Sequence, residues 1–169
     1  MVSALCGFTG SRHLSAASAP AVAALVASAQ ASGLAVVVGC ARGADALVRS
    51  ACPSARVLRA ASQSPAALVA RSVSLARLLA ASPGSRLVAL PASPCSPSVR
   101  PSSSPSGCFV GAGSGTWATA ALAAGLGVQV FVFAPVALLP AFWSGSWSQV
   151  SPGLWQFVPA VCAVQAALF

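Results

Sequence analysis

Three observations predict an α/β protein, a Rossmann-like three-layer fold with a mainly parallel sheet. Short apolar runs alternate with longer stretches of helical character. Small-residue turns follow the apolar runs and lead into the helical ones. Pro and Gly punctuate the starts and ends of the helical stretches. Strand–helix alternation at this spacing buries a parallel sheet between helices on both faces, with right-handed crossovers.

In chain order, Ser3 to Phe8 predicts a buried strand, followed by a Gly- and Ser-containing turn through Arg12. Pro20 to Ser32 predicts a helix, with Pro at the permissive first turn and Gly33 as the stop. Leu34 to Val38 is a Val-rich run ending at Gly39, as in a strand buried on both faces. Ala44 to Cys52 predicts a helix, Arg56 to Leu58 a short strand, and Pro65 to Ala81 a long helix closed by Pro83 and Gly84. Leu87 to Leu90 returns as a strand. The Pro- and Ser-rich stretch 91–107 is expected as an extended surface excursion, because repeated Pro excludes regular helix or central strand. Beyond it, Cys108 to Val110 is a short strand or the approach to one. Gly111 to Gly115 is a turn, Thr116 to Ala124 an Ala-rich helix and Val128 to Phe133 a strongly apolar strand.

A chain of 169 residues has room for one domain. Residues 1–135 are expected to form it, with 91–107 as a loop inside it. Residues 136–169 are an apolar extension carrying Trp143, Trp147 and Trp155, packed on the domain or on a partner subunit. It would add an edge strand, cover a sheet edge or form a dimer surface. The stretch 119–143 is uncharged and long enough to span a bilayer. Its interruption by Gly125, Gly127, Pro135 and Pro140, and the run V-Q-V-F-V-F, argue instead for a sheet core, so no membrane partner is expected.

Composition removes most hydrolytic chemistry. Nine Lys+Arg, all of them Arg, stand against one Asp+Glu and one His, and Lys, Glu, Asn, Tyr and Ile are absent. Most of the missing types share adenine at the second codon position, so a base bias would suffice to explain their loss without selection on the surface. The catalytic consequence is the same. General acid–base chemistry is left with His13 and Asp45, which rules out paired-carboxylate glycosidases, His–Glu metalloproteases and Lys Schiff-base enzymes. The six cysteines form no C-x-x-C pair and a single His cannot complete a usual zinc set, so no metal and no catalytic residue is assigned. Met1 to Cys6 holds no secretory h-region, and reduced, buried thiols in a cytoplasmic protein are the expectation. The net charge of +8 suits a polyanionic partner or simply keeps an apolar protein dispersed. A charged fraction of only 6% leaves much uncharged surface and favours a homo-oligomer.

Three small-residue turns stand where a strand gives way to a helix. They are Gly7-Phe8-Thr9-Gly10-Ser11-Arg12, Gly39-Cys40-Ala41-Arg42-Gly43-Ala44-Asp45 and Gly111-Ala112-Gly113-Ser114-Gly115-Thr116. Such turns place free amides and a helix N-terminus at the carboxyl edge of a parallel sheet, where phosphates bind. Each alone is ordinary loop geometry. Together they converge on one edge, and two of them carry Arg, which suits bidentate phosphate contacts.

These motifs resemble the SLOG superfamily: G-F-T-G-S-R after the first strand, V-V-V-G-C-A-R-G-A-D after the second, and G-S-G-T before a helix and strand. That group includes LOG-type nucleoside-monophosphate phosphoribohydrolases, nucleotide-sensing SLOG domains and the Rossmann-like domain of DNA-processing protein A. A-R-G-A-D is the most specific piece, and the likeness covers Ala4 to Pro135. The resemblance implies a nucleotide or phosphosugar pocket lined by Gly10, Ser11, Arg12, Gly39, Arg42, Gly43, Asp45, Gly113, Ser114, Gly115 and Thr116, with Arg71 of the long helix pointing at it. Asp45 has the alternative roles of helix cap or partner of Arg42. LOG-type hydrolases carry P-G-G-x-G-T-x-x-E, and here Thr119 stands at the place of the Glu, which counts against their hydrolysis mechanism.

The expected function is therefore nucleotide or phosphate-ligand binding by a sensor-like module, with no cofactor assigned beyond a nucleotide-type ligand. A nucleic-acid-binding protein resembling DNA-processing protein A is the first alternative, with Arg49, Arg56, Arg59, Arg77, Arg86 and Arg100 on backbone phosphates. An assembly-forming structural protein with an uncharged C-terminal face is the second.

Overall fold

Side chains alternate across a strand, so a sheet covered on both faces needs apolar residues at successive positions. The central strands supply them. In the computed structural model, which describes residues 3–160, strand β1 (Leu5–Gly10) is followed by helix α1 (Ala19–Ala31), β2 (Ala35–Gly39), α2 (Ala44–Ala51), β3 (Arg56–Leu58), α3 (Pro65–Ala80) and β4 (Arg86–Leu90). A single helical turn, α4 (Pro105–Cys108), then precedes α5 (Gly115–Gly125), β5 (Gln129–Phe133) and the strands β6 (Gly145–Ser151) and β7 (Leu154–Pro159). The end of the predicted 136–169 extension, Cys162 included, lies outside the described residues.

The strands form one seven-stranded sheet in the order β3-β2-β1-β4-β5-β7-β6. β1 to β5 are parallel, while β7 runs antiparallel to both β5 and β6. The molecule is thus α/β with a mostly parallel sheet. Cys6, Phe8, Val36, Val38, Val88 and Leu90 turn to one face and pack with Val22 and Val26 of α1 and Val48 of α2. Val37, Leu87, Ala89, Val130 and Val132 turn to the other, against Leu75 and Leu79 of α3 and Trp117 of α5. β1 sits deep enough that Gly7 faces Leu75 and Leu79 with no room for a side chain.

Most element boundaries agree with the sequence to within two residues. Helix α3 shows why: Pro65 occupies its first turn and the Ser64 hydroxyl accepts the Ala67 amide at 3.2 Å, a complete start signal.

The stretch 91–107 differs from the expected surface excursion. Val99 is fully buried and Cys95 nearly so. Two indoles hold the stretch in place: Trp117 Nε1 donates to the Ser93 carbonyl at 2.8 Å and Trp143 Nε1 to the Val99 carbonyl at 2.9 Å. A Pro-rich backbone offers carbonyls without matching amides, and Trp side chains are donors without acceptors. One supplies what the other lacks. The α4 turn also departs from expectation, since Pro105 at its first position loses no hydrogen bond there. Cys108 closes that turn, and no strand forms at 108–110.

After β5, the chain returns as the β6–β7 hairpin, which extends the sheet by two strands. Trp147 lies opposite Phe157, and both rings cluster with Trp143, which meets Trp117 edge-on at 5.9 Å. The stretch 119–143 is divided between α5, β5 and a turn, and among the described residues no helix is long and apolar enough to cross a membrane.

Candidate functional site

β1 is followed by a helix leading to β2 on one side, and β4 by one leading to β5 on the other. The connections diverge above the junction of β1 and β4, which leaves a crevice at the carboxyl ends of the two strands. A cavity of about 280 Å³ opens beside this junction. Thr9, Gly10, Ser11, Arg12 and His13 form one wall. Gly113, Ser114, Gly115 and Thr116, at the start of α5, form a second, and Leu68, Val69, Arg71 and Ser72 of α3 a third, with Phe109 and Ala41 completing the lining.

Local chemistry explains the first wall. The Ser11 amide donates to the Leu90 carbonyl at 2.9 Å, tying the first turn to the end of β4. The Ser11 hydroxyl accepts the His13 amide at 3.0 Å and bends the chain back. Arg12 and His13 are exposed on that bend. At the second wall, Ser114 caps α5, its hydroxyl accepting the Trp117 amide at 3.5 Å. The N-terminus of α5 therefore points its remaining amides and the positive end of its dipole into the cavity.

The second turn has a different part. Arg49 of α2 donates to the carbonyls of Gly39 and Ala41 at 2.8 and 2.9 Å, and Asp45 accepts the Ala41 amide at 3.1 Å. Gly43 adopts φ +69° with its Cα against the Ser11 and Arg12 backbone, so that any side chain there would collide with it. The Ala44 amide also donates to the Ser11 carbonyl at 3.0 Å. This turn braces the first one, and much of its polar backbone is already engaged.

Asp45 is 3% exposed and pairs with Arg71 at 3.6 Å, not with Arg42. Burial pushes its carboxyl above the ordinary value, opposed by the charge of Arg71, the Ala41 amide and the charge of Arg49. A Cβ at Gly39 would sit on the Asp45 carboxylate and 2.9 Å from the Arg71 Cζ, so Gly39 makes room for the ion pair. Arg71 also lies 3.7 Å from the Cys40 sulfur. The Ala60 amide, joined by Arg71, holds the Cys40 thiol below its ordinary value against the opposing effect of burial.

Of the residues expected at the site, Gly10, Ser11, Arg12, Arg71, Gly113, Ser114, Gly115 and Thr116 line the cavity together. Gly39 and Asp45 lie beneath it, lining a smaller void against Arg71. Arg42 is exposed and, with Gly43, lines neither space. His13, Leu68, Val69 and Phe109 line the cavity without having been singled out as ligand contacts. Leu68 had a signal, since it lies one turn before Arg71 on the same helix face. Phe109 had none.

The cavity offers two guanidinium groups, an imidazole, several hydroxyls and one helix terminus, and no carboxylate lines it. Its electrostatics favour negative charge over positive, and Leu68, Val69 and Phe109 give one side an apolar character. No known family model, curated protein or solved structure matches the chain.

Proposed function

We propose that the protein is a Rossmann-like module of the SLOG kind that binds a nucleotide or related phosphate ligand in the cavity beside the β1–β4 junction. One observation carries this reading. The first and third small-residue turns, about 100 positions apart in the sequence and joined only by the fold, meet around Arg12 and Arg71 in a cavity whose lining holds no acid, Asp45 pairing with Arg71 from beneath. The order β3-β2-β1-β4-β5 supports it, because ligands of open α/β sheets settle where the strand order reverses. LOG-type hydrolysis is not part of the proposal. Thr119, at the place of the family's Glu, is fully buried and donates to the Gly115 carbonyl at 2.7 Å, within its own helix.

A thermal-shift panel of nucleoside monophosphates, ADP-ribose, NAD, cyclic oligonucleotides and short single-stranded DNA tests the proposal. Ligand at a hundredfold excess over Kd stabilises by about 2.7 kcal/mol, or roughly 5–10 °C for a chain of this size. Gly115→Val is the discriminating variant. A Cβ at Gly115 meets nothing within 4 Å, so the substitution fills the cavity mouth while the fold stands. Gly115→Val and Arg12→Ala are expected to abolish the ligand shift and leave the unliganded melting temperature nearly unchanged. A shift that survives both, or silence across the nucleotides with salt-sensitive binding of DNA, overturns it.

A further inference from the structure

The two ends of the sheet are built differently. β3 has three residues, begins at the exposed Arg56 and is followed by the exposed Arg59, the short and charged form by which edges avoid pairing. β6 has seven, G-S-W-S-Q-V-S, with no charge and no Pro, and all but Trp147 are exposed. Its single blunting device is the register shift between Gln149 and Ser151.

Hydrogen-bond phase identifies the free groups. The Ala160 amide donates to the Ser144 carbonyl at 3.1 Å. Bonded pairs alternate along an antiparallel ladder, so Ser146–Val158 and Ser148–Gln156 exchange their bonds. The amides and carbonyls of Trp147 and Gln149 consequently face away from β7, toward an edge that no strand pairs with among the described residues. Val150 and Val158, 48% and 45% exposed, add apolar surface on the same hairpin.

Charge says what can approach. Two chains of net +8 repel, yet every Arg lies at or before Arg100. Seven of the nine belong to the segment from β1 to α3. The guanidinium of Arg86 lies over the Phe131 ring of β5, two strands from β6 and so about 10 Å away at the usual strand spacing, still beyond the screening length of about 8 Å at physiological salt. Arg100 is nearer, and its guanidinium is held by the Phe142 carbonyl at 2.8 Å and lies over the Phe142 ring. The β6 edge is where two copies meet with least repulsion.

We propose that β6 is a dimer interface, pairing antiparallel with β6 of a second copy so that the two sheets become one. An edge that pairs with itself about a two-fold axis closes at the dimer. This surface lies at the far end of the strand order from β3 and stands independently of any ligand in the cavity.

Sedimentation of the full chain over a wide dilution series is the test, with two variants. Gln149→Pro removes an outward amide and leaves the β7 ladder intact. Ser148→Lys sets like charges near one another across the two-fold axis. The expected result is twice the chain mass for the parent and the single chain mass for each variant, with the parent's circular dichroism retained. If Gln149→Pro loses the native spectrum, Ser148→Lys decides alone. A parent that sediments as a single chain throughout, a dimer unaffected by Ser148→Lys, or assembly beyond the dimer overturns the proposal.

Discussion

Trp117, Trp143 and Trp155 differ in what their indole nitrogens meet. The first two donate to carbonyls of the Pro-rich stretch, whereas Trp155 Nε1 is buried without a hydrogen-bond partner among the described residues. A satisfied buried donor contributes about 1 kcal/mol, and an unsatisfied one costs about 1–3 kcal/mol. Trp117→Phe and Trp143→Phe should therefore lower the melting temperature by several degrees, while Trp155→Phe should leave it unchanged or raise it. Calorimetry on the three variants gives the ranking, and a Trp155→Phe loss as large as the others contradicts it. At this scale the sequence was informative wherever a residue type was rare. The only Asp drew notice, as did the helix arginine Arg71, but their pairing was not legible. It joins α2 to α3 through space, and the A-R-G-A-D spacing suggested Arg42 as the nearer partner. Gly39 had the same fate: its neighbours in sequence say turn, while its neighbours in space are an ion pair.

Arg49 acts on a whole element. Its two bonds to the Gly39 and Ala41 carbonyls hold the turn between β2 and α2, which in turn presses on the Ser11–Arg12 backbone. Arg49→Met should cost about 2 kcal/mol, as expected for hydrogen bonds from a charged donor. Amide exchange should accelerate across Gly39–Asp45 and spread to Ser11–His13, because Gly43 couples the two turns. Exchange confined to the first of these segments would refute that coupling. The strands and helices up to β5, α4 apart, were legible because Val-rich runs, Pro at helix starts and Gly at helix stops are local signals, whereas the β6–β7 hairpin was open among three roles for the extension. The stretch 91–107 was not, since its burial depends on indoles donated from α5 and from the approach to β6. Gly125 marks the same limit. It reads as punctuation, but the Ser102 backbone passes directly over it.

Acid titration of the whole molecule follows from having one Asp and no Glu. Ordinary proteins lose stability in acid because carboxylates with lowered values must be protonated. Asp45 is raised by burial, so its contribution has the opposite sign: it is fully present below the ordinary carboxylate value and is lost as pH rises through the folded-state value. The buried thiols of Cys6, Cys95 and Cys108, each raised by burial, act likewise at the other end. Cys95 is pushed up to about 11 by burial, so stability it contributes below pH 9 disappears as pH rises through that value. Melting curves should show no loss attributable to Asp45 on acidification from neutral pH, and a decline above pH 9; a fall on acidification would contradict this account. The sheet order has one more consequence. With the arginines gathered from β1 to α3 and the hairpin neutral, the centre of charge lies away from the centre of mass, and the molecule carries a permanent moment along the strand order. Any polyanionic surface exerts a torque on it as well as a pull. A single copy should land β3 end first and stand with the hairpin outward, an orientation set by composition before any specific contact forms and cancelled once two copies pair through β6.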